Sequence, residues 1–244
     1  MERRTVDDAY ASAYAQLARR HWWWQARDRI VAETLSALPI RQGASILDVG
    51  CGDGRLFPVL DQFGSVTGIE PDPLTLGTMS ADPRIHHVPF RSPLTLSGPF
   101  DLVSMFDVLE HLEDRIGALA LVREVLSPTG LLLLTVPALP VLWTRHDDLN
   151  HHHVRYTDRS LRSDLEAAGL RVRTIRYIFQ GLVVPKAITV LGERLGLARG
   201  GVPAIPAPFL NRVFREYCLF EARCTKSLGR WLPGTTLLAT VAPT

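Results

Sequence analysis

Between residues 45 and 180 the apolar positions follow two alternating rhythms. Short apolar runs at 45–49, 65–70, 84–90, 100–106 and 131–137 read as strands, and the stretches after them, including 53–63, 71–79 and 116–126, read as helices. The unbroken run Leu131-Leu-Leu-Leu-Thr-Val-Pro137 suits a central strand buried on both faces, reached through a turn at Ser127-Pro-Thr-Gly130. A helix over 158–168 ends at Gly169, 170–179 alternates Arg with apolar residues as an edge strand does, and 235–242 is a last strand. Upstream, 9–38 reads as helical, with Tyr10, Tyr14, Leu17, Trp22, Ile30, Val31 and Leu35 on one side and an interruption near His21-Trp-Trp-Trp24. Three adjacent tryptophans cannot share one helical face, so at least one is expected to turn toward a ligand or partner unless the whole segment docks on the sheet.

Between the last two strands lie about fifty residues that are too apolar for a loose loop: 182–197, a linker with Pro203, Pro206 and Pro208, and a helix over 209–231. The division expected is a helical segment at 1–44, an α/β core at 45–180, a helical cap at 181–232 and the final core strand at 233–244. A chain of 244 residues has room for one such core with an insertion and no second enzyme domain.

Charge adds little. A net charge of +2 does not point to a nucleic-acid partner, and the positive residues are nearly all Arg, with Lys only at 186 and 226. Cys51, Cys218 and Cys224 form no paired framework, the opening residues are polar, and no stretch of about 18 apolar residues occurs, so a cytoplasmic protein without a membrane span is expected.

The chemistry concentrates at Ser45-Ile-Leu-Asp-Val-Gly-Cys-Gly-Asp-Gly-Arg-Leu56, where an apolar strand meets three glycines. Those residues allow a ligand to approach the main chain closely. The glycines recur every second residue behind Asp48, unlike the Gly-x-Gly-x-x-Gly of dinucleotide sites, which disfavours a pyrophosphate. Glu70 ends the next strand, where an acid is placed to accept both hydroxyls of a ribose. This pairing of loop and acid resembles class I S-adenosylmethionine-dependent methyltransferases, and Asp107-Val-Leu-Glu-His-Leu112 resembles the segment after the fourth strand in the same group.

The resemblance implies a doubly wound, seven-stranded, mostly parallel α/β sheet of Rossmann-like methyltransferase type, with N-terminal helices and the helical insertion before the last strand. It implies S-adenosylmethionine as cofactor, held by Asp48, Gly50, Cys51, Gly52, Gly54, Glu70 and Pro71, with Phe106 and Asp107 at the end of the fourth strand. Arg27, in a segment resembling His-Trp-Trp-Trp-Gln-Ala-Arg, is the candidate partner of the methionine carboxylate. The chain departs from the pattern after the third strand, where Phe90-Arg-Ser92 replaces the usual adenine-binding Asp, and no residue is assigned to adenine.

Methyl transfer from a sulfonium requires orientation and, for a weak nucleophile, removal of a proton. The loop 138–156 leaves the carboxyl end of a strand and carries His146, Asp147, His151, His152 and His153. Its His-Asp…His-x-Arg-Tyr pattern resembles bacterial methyltransferases of this group. His146 or His152 is the expected base, oriented by Asp147, and His111 is a further catalytic candidate. Asp107-x-x-Glu110-His111 is similar to a divalent-metal arrangement in ubiquinone-pathway O-methyltransferases and small-RNA terminal methyltransferases. A divalent metal is the weaker alternative here, and no residue is assigned as its ligand.

The expected reaction is methylation, at oxygen, of a small and partly hydrophobic metabolite. RNA methylation with a metal and a non-catalytic cofactor-binding or assembly role are the rival readings. For the insertion, a cap walling the acceptor pocket is preferred to peripheral membrane contact, and a homodimer surface is a further reading of its apolar residues.

Overall fold

A computed structural model describes residues 17–71, 82–92, 94, 96, 98–197, 203–227 and 231–244. The helix expected at 71–79 and the residues before 17 lie outside that set.

Seven strands form one sheet: β1 (Ala44–Val49), β2 (Gly64–Ile69), β3 (Ile85–His86), β4 (Phe100–Phe106), β5 (Leu126–Pro137), β6 (Leu170–Ile178) and β7 (Thr236–Pro243), in the order β3-β2-β1-β4-β5-β7-β6. All neighbouring pairs are parallel except those of β7, which runs antiparallel between β5 and β6. The order reverses between β1 and β4, and in such sheets the crevice beyond the carboxyl ends at that point receives ligands.

Alternate residues of each strand feed two helical layers. On one face Leu47, Val103, Leu132 and Leu134 pack with Leu119 and Val122 of α3 (Arg115–Val125) and Leu161 and Leu165 of α5 (Asp158–Ala167). On the other, Ile46, Leu102, Leu133 and Leu238 meet Ala26 and Ile30 of α1 (Trp22–Leu35), Phe57 and Leu60 of α2 (Phe57–Leu60), and Cys218, Leu219 and Ala222 of α7 (Pro208–Cys224). Burying each large aliphatic side chain stabilises such a core by about 1.5–3 kcal/mol.

Several expected boundaries move. The long N-terminal helix breaks at His21, which is extended (φ −79°, ψ 135°) and caps α1 by accepting from Trp23 N at 3.2 Å. The tryptophans then take three destinations: Trp22 packs on Phe214 of α7, Trp23 on Phe179, and Trp24 into a small cluster with Leu17 and Ala18. The expected turn at Ser127–Gly130 lies inside β5 as an irregularity, because the register with β4 jumps from Phe100 opposite Leu126 to Leu102 opposite Leu131. β3 spans two residues instead of seven, and the helix after the glycine loop is the single turn of α2.

The insertion divides into two different parts. Its second helix, α7, belongs to the core layer: Asn211 accepts from Trp22 N and donates to the Arg20 carbonyl, each at 2.8 Å, and Arg223 pairs with Glu33. Its first helix, α6 (Val183–Arg194), lies over the loop that follows β5, where Lys186 Nζ donates to Thr144 Oγ1 at 2.8 Å and Glu193 accepts from Arg145 N at 2.9 Å.

Candidate active site

β1 delivers the chain to the crevice at Val49, and the turn beyond it needs left-handed backbone. Gly50, Gly52 and Gly54 have φ of +69°, +58° and +76°, a region that side chains other than glycine adopt only at a cost. At Gly50 a Cβ would also overlap Val108 Cγ2. The Ile69 carbonyl at the end of β2 accepts from Gly50 N at 2.8 Å and Cys51 N at 3.1 Å, and Glu70 Oε2 accepts from Gly52 N at 3.1 Å. Glycine loop and acid thus form one hydrogen-bonded unit across two strand ends. Pro71 follows, exposed. The Cys51 side chain turns inward to the core, where burial raises its thiol pKa above the usual range. Asp48 is buried beneath the loop and accepts from Ser104 Oγ at 2.6 Å. Burial pushes its carboxyl pKa up to about 7, against the pull of the Ser104 hydrogen bond and of Arg27.

A chain of charges ties α1 to this edge. β4 ends at Phe106, and Asp107 has φ +56° and accepts from Thr135 Oγ1 at 3.0 Å. Its other oxygen pairs with Arg27, which is buried and also donates to Asp28 at 3.0 and 3.2 Å. Asp28 in turn pairs with Arg55, the residue after Gly54. Arg27 therefore stands where α1, β4 and the glycine loop meet, with a carboxylate on each side. Asp28 and Arg55 were not singled out from the sequence, where they stand 27 positions apart with no pattern linking them.

Beyond β4 and β5 the site is made of side chains. The 3-10 turn Leu109–His111 places Glu110 and His111 beside the loop after β5, which is closed at its base by Leu139 N donating to the Tyr156 carbonyl and Tyr156 N to that of Pro137, each at 2.8 Å. Asp147, on the short helix α4 (Arg145–Leu149), is fully buried at its centre. It accepts from Thr144 N at 2.9 Å, Thr144 Oγ1 at 3.0 Å, Arg155 Nε at 2.7 Å and His152 Nδ1 at 2.9 Å. Burial works to raise this carboxyl, but His152, Arg155 and the Thr144 N–H together hold its pKa below the usual carboxylate range. An ionised Asp147 fixes the Nδ1–H tautomer of His152 and turns Nε2 away as an acceptor.

The His152 ring lies 4.8 Å, edge to face, from that of His111. Burial lowers the His111 pKa to about 3, assisted by the neighbouring histidines and opposed by a hydrogen bond to the Asn150 backbone. Burial likewise raises Glu110 well above the usual range, with Asp107 adding to the effect. Glu110 Oε2 and His111 Nδ1 are buried without a hydrogen-bond partner among the described residues. Of the expected catalytic residues, the structure thus brings His111, Asp147 and His152 together. His146 stands apart on α4, its Nε2 3.1 Å from Asn150 Nδ2, with its pKa lowered to about 4 chiefly by burial.

A family model described as a methyltransferase domain matches residues 22–175. The chain belongs to the class I S-adenosylmethionine-dependent methyltransferases. Among curated relatives of this methyltransferase, the ubiquinone biosynthesis O-methyltransferase of Haemophilus ducreyi is 27% identical over 158 residues, covering 53% of this chain and 64% of that one. A probable S-adenosylmethionine-dependent methyltransferase of Mycolicibacterium smegmatis is 29% identical over 172 residues, covering 68% and 65%. The match therefore spans less than two thirds of the length of these relatives.

Among solved structures, a chain from the complex of the Haloferax volcanii Trm112 methyltransferase activator with a methyltransferase has a TM-score of 0.61 at 18% identity, covering 97% of this chain and 95% of that one. A TehB-like methyltransferase from Corynebacterium glutamicum has a TM-score of 0.55 at 18% identity, covering 98% and 100%. Both show the same fold. The expected Rossmann-like methyltransferase sheet is the one observed, while the family match stops short of α6 and α7.

Proposed function

We propose that this methyltransferase acts on a small, partly hydrophobic acceptor at oxygen, with His152 receiving the acceptor's proton. The observation that carries the proposal is the pairing of buried Asp147 with the partly exposed His152 at the carboxyl edge, on the same side of the sheet as the glycine loop and Glu70. The ubiquinone biosynthesis O-methyltransferases among the relatives support an oxygen acceptor.

The residues fit the cofactor. Glu70 offers carboxylate oxygens to two ribose hydroxyls beside the left-handed glycine loop, and Arg27, already paired with Asp107 and Asp28, would meet a methionine carboxylate only by giving up one of those partners. Bound S-adenosylmethionine supplies an electrophilic methyl group on a sulfonium. With the cofactor bound, His152 Nε2 would take the proton of the acceptor hydroxyl as its oxygen becomes the nucleophile. Asp147 stabilises the resulting imidazolium.

A second reading rests on the orphaned atoms of Glu110 and His111. With His152 they form a carboxylate and two imidazoles whose candidate ligand atoms lie within 4.8 Å of one another, a donor set suited to a divalent transition-metal ion. These three residues would hold the ion and Asp147 would orient His152 from behind. Such an ion polarises a bound oxygen, and His152 would then be a ligand and not the base.

Calorimetric titration with S-adenosylmethionine and S-adenosylhomocysteine, with NAD⁺ as control and with or without Mg²⁺ or Mn²⁺, tests both. Micromolar binding of the two sulfur nucleosides and none of NAD⁺ is expected. Glu70→Ala should weaken that binding at least about tenfold by removing charged hydrogen bonds. His152→Ala should leave it within about threefold while lowering turnover of a phenol panel by about 10²–10⁴. Turnover that requires Mn²⁺ and disappears in Glu110→Gln would replace the first reading by the second. Failure of the folded protein to bind either nucleoside would overturn both.

A further inference from the structure

α6 is amphipathic in the reverse of the usual sense. Two of its charged residues face the protein, where Lys186 reaches Thr144 and Glu193 reaches the main chain of Arg145, while Arg194 is exposed at its end and Val190 is its one buried apolar residue. Val184, Ile188, Leu191 and Leu195 are 65, 66, 57 and 61% exposed. Their spacing of four, three and four residues puts them on one face of the helix. Leu197, just beyond the helix, is 80% exposed. An apolar stripe on the solvent side of a helix that turns Lys186 and Glu193 inward and leaves Arg194 outside marks a surface built to be covered.

The charge of the surrounding segment indicates by what. Residues 182–231 contain eight Lys or Arg and three Glu, a net +5, whereas the whole chain is +2, so the remainder is −3. A second copy docked face to face would set +5 against +5. Folded RNA would match the charge but leave the aliphatic stripe in water. A bilayer with anionic headgroups satisfies both features at once, taking the aliphatic residues into the acyl boundary and the cations at the phosphate level. The exposed rings of Phe209, Phe220 and Trp231 in the same segment are of the type that lies at that boundary.

We propose that the outward face of α6, with Val184, Ile188, Leu191 and Leu195 at its centre, docks this protein on an anionic lipid bilayer. The surface lies wholly outside residues 22–175 matched by the family model, so it is a property of this chain's insertion. α6 rests on the loop that carries Asp147 and His152. Docking through its opposite face therefore sets that loop one helix diameter, about 10 Å, from the headgroups. The inference stands on the surface alone and does not depend on the acceptor or on catalysis.

The test is co-sedimentation of the full chain with phosphatidylcholine vesicles, with and without about one third phosphatidylglycerol, together with the double variant Ile188→Glu/Leu191→Glu. Both residues are exposed, so the variant should keep the parent melting temperature and cofactor affinity. The expected result is binding to the anionic vesicles that falls at least about tenfold in the variant, since two large aliphatic side chains no longer leave water. It should also weaken in 0.5 M NaCl, while pure phosphatidylcholine binds weakly. Absence of binding by the folded parent, or binding that the double variant leaves unchanged, would overturn the proposal. A concentration-dependent dimer in sedimentation velocity that the variant dissolves, without vesicle binding, would overturn it too and give the face to a second copy of the chain.

Discussion

The two halves of the crevice are held by different means. Around β1 and β2 the structure is mainly main chain: three left-handed glycines, the Ile69 carbonyl accepting two N–H groups, and one acid on Gly52 N. Around β4 and β5 it is mainly side chains gathered on buried charge, with Asp147 accepting four hydrogen bonds from Thr144, Arg155 and His152 while buried Glu110 and half-buried His111 lie nearby. The first half presents a pre-formed cradle to the constant part of a ligand. The second stores charge whose balance a small change can upset.

The largest effect should come from breaking the side-chain half at its centre. Asp147→Ala leaves Arg155 without its buried partner and removes the cap of α4. It should lower unfolding free energy by about 3–5 kcal/mol, read by chemical denaturation, and raise amide exchange across 138–156 more than in the glycine loop. Equal loosening of both halves would show that they are not separable.

Next is the main-chain half. Gly50→Ala forces a Cβ into left-handed backbone and against Val108. It should cost about 2–4 kcal/mol and abolish most cofactor affinity while sparing exchange protection at Asp147.

The smallest effect sharpens the boundary between the halves. Asp48 is a buried carboxyl whose pKa is raised to about 7, above its unfolded value near 4. The stability associated with its neutral form is complete below about pH 4 and is lost as pH rises through about 7. Asp48→Asn should remove this dependence, so that between pH 5 and 8 the parent loses about 1–3 kcal/mol relative to the variant. Parallel stability curves for the two proteins would show that Asp48 is already ionised in the fold.

The halves also differ in how far they could be read in advance. The glycine loop, Glu70 and the Asp107 segment are local patterns, because a strand end followed by alternating glycines has few conformations open to it. His152 and Asp147 are five residues apart, and their pairing was foreseen as one of two options, with His146 the other. What chose between them was α4, whose turn buries Asp147 and carries His146 off toward Asn150. The ion pairs that run from Asp107 through Arg27 and Asp28 to Arg55 join residues up to 80 positions apart, and no spacing announces them. Ser127-Pro-Thr-Gly130 was expected as a turn before the strand, whereas it lies within the strand as a register shift, because the pairing with Phe100 and Leu102 decides that.

The insertion draws the same line most plainly. Its composition establishes two apolar helices joined by a proline-rich linker, since helical period and proline are properties of the chain itself. Which way each helix faces is not. α7 turns Cys218, Leu219 and Ala222 onto the sheet, with Asn211 meeting the start of α1, whereas α6 turns Lys186 and Glu193 to the loop after β5 and most of its aliphatic residues to solvent. Periodicity by itself determined where the apolar stripes run. Only the tertiary structure decided what each stripe meets, because burial depends on the surfaces that distant parts of the chain bring within reach.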